Sequence, residues 1–321
     1  MIELRHVEGG IVTGRFTDHH VHLQLVDHRL LAGSRLGRVV DLGAEPSWVR
    51  ELAREVRSAG WMENAGPEAS AAALSIQAES SRMEFARSEG QGPAESIPTD
   101  VAIEYAGAFL TAPGGYPSDR AWAPAGSVRE VTDVADAASA VGELAAAGAS
   151  CIKAVLHSEA GPVLDDDVFS AIVEAAAAHD LPVVAHAEGA GQAQRAARLG
   201  ADLLAHAPFT ERLGDDEIAA QAASVQWIST LAIHDAQHRG IAIDNVRRFA
   251  AAGGMVLYGT DMGNGPGPVD LRTDELDALR EAGIDGMRLL KALAPSGPEA
   301  LFVPHGDPAA ARPLTRSELE A

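Results

Sequence analysis

The sequence predicts an α/β protein built as a (β/α)8 TIM barrel, and three observations lead to this prediction. Short apolar segments alternate with alanine-rich helical segments from Gly14 onward, which indicates parallel strands joined by crossover helices. Eight such units favour a closed barrel over an open sheet. The strands are apolar throughout, as expected where helices cover the outer face of a sheet. They are predicted over residues 15–19, 38–42, 101–109, 150–155, 182–186, 202–206, 226–230 and 255–259.

Helices are predicted from their terminal residues. The clearest one covers residues 127–147, where Ser127 and Glu130 have the spacing of a capping box and Gly148 stands at the expected end. The remaining helices are expected to begin at residues that suit a helix N-terminus, which are Asp165, Gly191, Asp215 and Asp244.

Two segments do not follow the repeat. Residues 60–100 are too long for an ordinary connection and contain a predicted helix over residues 69–88. We interpret them as an insertion between strands two and three that could cap the barrel mouth. The tail, residues 296–321, is rich in Pro, Ala and Gly and is expected to lie along the surface. The whole chain, 1–321, is predicted to be a single barrel domain.

Composition excludes several classes of partner. The chain has 25 Lys and Arg against 46 Asp and Glu, which gives a net charge of −21. This charge disfavours nucleic acid and anionic membrane surfaces as partners, and no segment is apolar enough to span a bilayer. The single cysteine, Cys151, and the lack of a leader-like N-terminus favour a cytoplasmic protein. We expect a small-molecule substrate, and the sequence leaves room for a homo-oligomer.

Polar residues occupy the carboxyl ends of five predicted strands. In a barrel these ends open onto one face, where the chemistry of this fold takes place. Residues far apart in the chain should therefore meet at one site. They are His20, His22, Lys153, His186, His206 and Asp261.

These residue types point to a metal site. His20 and His22 are two positions apart and face the same side of a strand. With Asp261 they could hold one divalent ion, while His186 and His206 hold a second. Imidazole and carboxylate suit zinc, the default ion, and also manganese, iron or cobalt. Each residue alone could be an ordinary polar rim residue, so the prediction depends on the joint pattern.

Lys153 is unusual in this set because an ammonium would repel the ions. Its position is explained if the amine has reacted with carbon dioxide to give N6-carboxylated lysine, an anionic bridge between the two metal ions. The sequence leaves that modification as a hypothesis.

The joint pattern resembles the metal-dependent amidohydrolase superfamily, and its imidazolonepropionase-like branch in particular. The motifs that carry the resemblance are Asp-x-His-x-His at 18–22, Gly-Ala-x-x-Ile-Lys at 148–153, Thr-Ala-Pro-Gly-Gly at 111–115, Ala-His-Ala-x-Gly at 185–189 and Gly-Thr-Asp at 259–261. The chain departs from that branch at Glu188 and Tyr116, where relatives often have histidine. The ends of the chain also look too short or strand-poor for the β-sandwich of most members, so we predict a barrel without it.

The resemblance implies a binuclear hydrolase that cleaves an amide or cyclic amide by attack of a metal-bridging hydroxide. Asp261 would act as general base and then general acid. Expected substrate contacts are His157, His234, Tyr116 and Glu188. Glu188 would either hold a metal-ligating histidine or recognise a positive group.

Three alternatives remain at this level. A lactonase or phosphotriesterase would use the same machinery on an ester. A mononuclear heterocycle deaminase generally lacks the bridging lysine, so Lys153 counts against it. A binding protein without activity would leave a complete ligand set unused.

Overall fold

The structure, a computed structural model, describes residues 4–64 and 101–315. Its strands are β1 (Leu4–Val7), β2 (Gly10–Val21), β3 (Leu36–Asp41), β4 (Ala102–Tyr105), β5 (Phe109–Thr111), β6 (Val128–Glu130), β7 (Ile152–His157), β8 (Val183–Glu188), β9 (Leu203–Leu204), β10 (Gln226–Ile228), β11 (Val256–Leu257), β12 (Ser296–Pro304) and β13 (Arg312–Pro313). Its helices are α1 (Pro46–Asn64), α2 (Val134–Ala146), α3 (Asp166–Ala178), α4 (Gln192–Arg198), α5 (Asp215–Ala222), α6 (Ala236–Ala251), α7 (Thr273–Glu281) and α8 (Met287–Ala292). Beyond Asn64, the predicted insertion and its helix lie outside the described residues.

The strands form an α/β fold with a parallel arrangement, as the alternation of strand and helix predicts. In one sheet β2, β3 and β4 pair in parallel. In the other, β5 and then β7 to β11 pair in parallel, with β6 on the far side of β5. The third predicted strand is divided into β4 and β5, because Gly107 between them adopts a φ of +77° and interrupts the extended backbone.

Main-chain hydrogen bonds connect the two sheets at both of their edges. The Ser150 amide donates to the Tyr105 carbonyl at 2.8 Å, which joins β4 to the start of β7. At the other side the His19 amide donates to the Tyr258 carbonyl at 3.0 Å. The sheets therefore curl toward each other, and the carboxyl ends of the parallel strands share one side of the molecule.

The two ends of the chain form a small antiparallel sheet, which corrects the prediction for the tail. β12 pairs with the first half of β2, and β1 and β13 flank this pair. Leu301 and Val303 of β12 are buried. The expectation that residues 296–321 contribute no strand is therefore wrong, because burial of these apolar side chains against β2 stabilises the pairing.

Two predicted helix starts are also wrong. α2 begins at Val134 instead of residue 127, and Asp133 is its N-cap, accepting from the Asp136 amide. The predicted capping box fails because Ser127 donates to the Pro124 carbonyl and precedes β6. The helix expected to begin at Asp244 begins at Ala236, eight positions earlier.

The apolar core lies between the curled sheets and the helices. Trp227 of β10 is fully buried and stacks on Phe249 of α6, with ring centroids 3.8 Å apart. Such contacts fix each helix against its strand and so fix the strand ends where the polar residues sit. Within the described parts of the chain, no helix has the length and apolar character needed to cross a bilayer.

Candidate metal centre

A cavity of about 530 Å³ opens at the carboxyl ends of the parallel strands. This volume is in the range of sites for small molecules. All of the ligands predicted from the sequence line it, namely His20, His22, Lys153, His186, His206 and Asp261.

Asp261 lies between the two histidines of the first motif. Its Oδ1 is 3.1 Å from Nε2 of His20 and 3.1 Å from Nε2 of His22. Its Oδ2 accepts a hydrogen bond from the Asn264 amide group at 2.9 Å. The residue has a φ of +52°, a left-handed conformation that aspartate tolerates better than most side chains.

In His20 and His22, the far nitrogen of the ring, Nδ1, points away from Asp261 and contacts a main-chain carbonyl. Nδ1 of His20 is 2.8 Å from the Ala205 oxygen, and Nδ1 of His22 is 3.3 Å from the Gly43 oxygen. Because a carbonyl oxygen only accepts, each Nδ1 must carry the proton when the ring is neutral. Each Nε2 then presents its lone pair toward Asp261, which is the form that a metal ion requires.

His186 and His206 face each other across the same cavity. Nδ1 of His186 is 3.1 Å from Nε2 of His206. Behind them, Nδ1 of His206 contacts the Thr230 hydroxyl at 2.9 Å, and Nε2 of His186 contacts Oε2 of Glu188 at 3.1 Å. Both rings therefore have a partner at the nitrogen that points away from the other ring.

Lys153 is buried at the base of the cavity, with 1% of its surface exposed. Burial lowers the pKa of its amine to about 8, although the charge of Asp261 acts in the opposite direction. Among the described residues, no carboxylate lies within 4.0 Å of Nζ. A larger fraction of this amine is therefore uncharged near neutral pH than of a solvent-exposed lysine, although the charged form still predominates.

The pKa values of the other groups fit a metal site. Burial, with the charge of Lys153, holds the pKa of His20 well below its usual value, and burial and the neighbouring histidines do the same for His206. Burial lowers the pKa of His22, but the contact with Asp261 outweighs it and the net shift is upward. Burial alone would raise the pKa of Asp261, yet His20 and His22 hold it well below its usual value. An ionised carboxylate therefore stands beside His20 and His206, whose lone pairs are available, and this donor set fits divalent cations.

Two groups of side chains have ligand atoms within 4.8 Å of one another. One comprises His20, His206 and Asp261. Because His20 and Asp261 belong to the first predicted ion position and His206 to the second, the two positions adjoin. The other comprises His157, His186 and Glu188.

The predicted substrate contacts lie at different depths. Tyr116, His234 and Glu188 line the cavity. His157 is not among the described lining residues; its Nε2 is 3.3 Å from the Glu188 carboxylate, and its ring packs edge-on against Tyr116 with centroids 4.9 Å apart. It also lies beside His186, with ring centroids 5.6 Å apart, and is therefore a neighbour of the cavity wall.

Further out, an aromatic stack and an ion pair form the rim. His234 stacks on Phe209 with ring centroids 4.0 Å apart, and burial lowers the pKa of His234 to about 4. Asp235 accepts hydrogen bonds at the N-terminus of α6 and binds Nδ1 of His238 at 2.7 Å. No motif or spacing in the sequence singles out Phe209 or His238.

Three supporting residues were not assigned a role from the sequence. The first is Asp18, whose Oδ1 accepts from the amides of His20 and Thr260 and whose Oδ2 accepts from the Thr260 hydroxyl at 2.6 Å. Asp18 thus ties the strand of His20 to the segment that leads into Asp261. The position of Asp18 in the Asp-x-His-x-His motif was a signal that it has a role, but its partner Thr260 is 242 positions away in the chain.

The second supporting residue is Glu275 of α7, which is fully buried. It accepts from the amides of Leu231 and Ala232 at 3.0 and 2.7 Å. These residues directly follow Thr230, which has a φ of +43°. The carboxylate therefore stabilises the turn that presents the Thr230 hydroxyl to the metal centre.

The third is Gly43, at the end of β3. A Cβ atom at this position would lie 2.0 Å from the ring of Phe109. The absence of a side chain allows Phe109 to pack here while the Gly43 carbonyl binds His22.

No protein-family model matches the chain, and a search of curated proteins found no relative. Solved structures do resemble it. A Xaa-Pro dipeptidase with methionine bound in its active site is 17% identical to this chain, with a TM-score of 0.61. The match covers 88% of this chain and 73% of the dipeptidase chain. An ochratoxinase from A. niger is 14% identical, with a TM-score of 0.62, and the match covers 88% of this chain and 70% of the ochratoxinase chain. An amidohydrolase is 18% identical, with 94% and 87% covered and a TM-score of 0.62.

These likenesses show the fold. They agree with the α/β fold that the motif resemblance to the amidohydrolase superfamily implies. The assignment to the imidazolonepropionase-like branch stays a prediction.

Proposed function

We propose that this chain is a metal-dependent amidohydrolase that hydrolyses an amide or cyclic amide bond with two divalent metal ions, most simply zinc. The observation that carries the proposal is the position of the Asp261 carboxylate, at 3.1 Å from Nε2 of both His20 and His22 in one cavity. The fold supports it, since a dipeptidase and an amidohydrolase share that fold. We also propose that the linked sheets close into one eight-stranded barrel, a geometry supported by the bonds at their edges.

The side chains divide naturally between two ion positions. His20, His22 and Asp261 would hold the first, and His186 and His206 the second, through the facing nitrogens that are 3.1 Å apart. Bound there, the ions would lower the pKa of water and polarise a carbonyl group.

Lys153 would bridge the two positions as N6-carboxylated lysine. Its pKa of about 8 leaves a fraction of the amine neutral, so that its nitrogen can attack carbon dioxide and release one proton to give the carbamate anion. The new carboxylate would supply the negative charge that the lysine lacks. Burial would keep bulk water away from the carbamate.

The residues of the chain then have separate tasks in hydrolysis. Asp261 is ionised, so it can accept a proton from water at the carboxylate oxygen that would not hold the ion, and later deliver it to the departing nitrogen. Asn264 donates to Oδ2 and so fixes the orientation of the carboxylate. Tyr116 and His234 line the cavity and would orient the substrate.

The test combines metal content with a hydrolysis screen. The purified chain, loaded with zinc, should contain about two ions and cleave members of a panel of N-acyl amino acids, dipeptides and cyclic amides. Lactones and aryl phosphotriesters belong in the same panel, and turnover of these alone would contradict amide hydrolysis.

The lysine is tested by Lys153→Met, which keeps the length of the side chain and removes the amine. We expect metal content to fall from about two ions to about one, because the bridge is lost. Lys291→Met, at an exposed helical position, is the matched control and should bind metal as the unmodified chain does. Unchanged metal content in Lys153→Met would refute the bridging role.

A further inference from the structure

The outer cavity wall contains a carboxylate with one oxygen engaged and the other available. Oε2 of Glu188 binds Nε2 of His186 at 3.1 Å and Nε2 of His157 at 3.3 Å. Oε1 has no hydrogen-bond partner among the described residues, and about a quarter of the side chain is exposed, at 24%. Because Glu188 also lines the cavity, it can offer Oε1 to a ligand while the imidazoles hold its position.

A glutamate side chain is ordinarily ionised at neutral pH. Two imidazoles hold Oε2 of Glu188 in place, so the cavity wall presents a fixed negative group.

The charged side chains that line the cavity outside the metal centre are negative, as Glu188 is. Outside the metal centre, the charged carboxylates among the described lining residues are Glu188 and Asp235, and these residues include neither an arginine nor a second lysine. Arg120 lies over the Tyr116 ring, 5.5 Å from its centroid, and it forms an ion pair with Asp119 at 3.3 Å. Outside the metal centre, the described lining residues thus supply neither a guanidinium nor an ammonium to pair with a carboxylate of a substrate.

The walls themselves are aromatic. Phe109, Tyr116 and Trp122 form one continuous group with ring centroids 6.0 to 6.3 Å apart, and Phe209 lines the cavity as well. Aromatic faces beside carboxylates attract organic cations, through the negative potential above the ring and through charge pairing. A net charge of −21 adds a long-range field that favours the approach of cations.

We propose that the substrate is an amide with a protonated amino group near the scissile carbonyl, and that Glu188 binds this ammonium through Oε1. This inference rests on the proposed amide hydrolysis and names its substrate class. Glu188 contacts the outer nitrogen of His186, whose inner nitrogen faces the metal centre. The ammonium therefore lies one imidazole ring away from that centre, a few bonds from the carbonyl, as in an amino-acid amide or an α-amino lactam.

The test uses three hydroxamates that share one metal-binding group and differ only in the α-substituent. These are alanine hydroxamate with an ammonium, isobutyrohydroxamate with a methyl group, and the monohydroxamate of methylmalonate with a carboxylate. Calorimetric titration of the zinc-loaded chain at pH 7.0 gives each dissociation constant. We expect the ammonium compound to bind at least tenfold more tightly than the neutral one, and the anionic one most weakly.

Variants show whether Glu188 is responsible. Glu188→Gln keeps the size of the side chain and removes its charge, so the ratio between the ammonium and neutral compounds should fall toward one. The ratio is the readout because this substitution also touches His186 and can change the affinity of all three. Glu159→Gln removes a nearby exposed carboxylate outside the cavity lining and should keep the preference.

The outcomes separate this inference from the proposed function. Equal binding of the three compounds, or tightest binding of the anion, overturns the inference and leaves amide hydrolysis standing. A cation preference that survives in Glu188→Gln overturns the role of Glu188. Failure of all three to bind contradicts the metal centre and the inference with it. The expected order without any hydrolysis of amides supports the ammonium site at Glu188 and contradicts the proposed reaction, and with it the assignment of an amide as the substrate.

Discussion

The inner and outer parts of the cavity are held in different ways. In the inner part, the far nitrogens of His20 and His22 bind the main-chain oxygens of Ala205 and Gly43. In the outer part, side chains hold other side chains. Glu188 binds His157, Asp235 binds His238, and His234 stacks on Phe209.

The difference separates what the fold determines from what a substitution can change. A main-chain carbonyl keeps its position whichever side chain its residue carries, so the inner geometry depends on the strands themselves. A contact between two side chains is lost when either one is replaced. We therefore expect the chemistry of this site to be robust and its specificity to be adjustable.

The largest expected effect concerns the support beneath the inner part. Burial raises the pKa of Glu275 to about 7, above its ordinary value of 4.5, even though the Leu231 and Ala232 amides lower it. The folded chain thus retains a proton that the unfolded chain releases, and stability should fall as pH rises from 4.5 to 7. At 1.36 kcal/mol per unit, the loss due to this group is about 3 kcal/mol.

Glu275→Gln removes that titration. Urea unfolding at pH 5 and pH 8 should show a smaller loss of stability with pH in the variant than in the unmodified chain. Asp18, whose pKa is also raised to about 7 by burial, remains in both proteins; the charge of Glu275 contributes to its shift, so its titration too should weaken in the variant and act in the same direction. An identical dependence on pH in the two proteins would show that Glu275 is ionised in the fold without cost.

The next effect tests an inner support that is a side chain. Thr230→Val keeps the branched shape and removes the hydroxyl that contacts His206. Loss of such a partner behind a metal-ligating histidine weakens metal binding by about 10–100-fold. Competition with a chromophoric chelator measures the zinc affinity, and Thr132→Val at an exposed position is the control. Full affinity in Thr230→Val would mean that the turn alone orients the ring.

The smallest effect is expected in the outer part. His157→Phe keeps a ring against Tyr116 and removes the donor to Glu188. Metal content should stay the same, and kcat/KM for an amide substrate should change by less than about tenfold, the equivalent of 1.4 kcal/mol. His179→Phe, at an exposed position, is the comparison. Loss of metal from His157→Phe would place His157 with the inner part and remove the distinction.

The sequence predicted the meeting of distant ligands because strand periodicity and strand direction are local properties. His186 and His206 each end an apolar run, so their common face follows from the alternation of strands and helices. The supports behind them were not predictable in this way. Glu275 reaches Leu231, 44 positions earlier, through a packing contact that no local pattern encodes.

The errors have the same origin. β12 contains Gly297 and Pro298 and reads as a loop, yet pairing with β2 makes it a strand. Ser127 and Glu130 have capping-box spacing, but each found another partner: Ser127 donates to the Pro124 carbonyl, and Glu130 accepts from the Gly114 amide. At β12 and Glu130 tertiary contacts outweighed local preference, whereas at Ser127 a competing local turn did so.

The close packing of Phe109 over Gly43 has a consequence for engineering. Since the ring occupies the space that a side chain at position 43 would need, an alanine there would push Phe109 into the cavity and also strain the carbonyl that holds His22. Trimming Phe109 to a smaller residue would create a void that alanine could fill. Libraries that reshape this pocket should therefore vary positions 43 and 109 as a pair, and homologous chains should exchange them together.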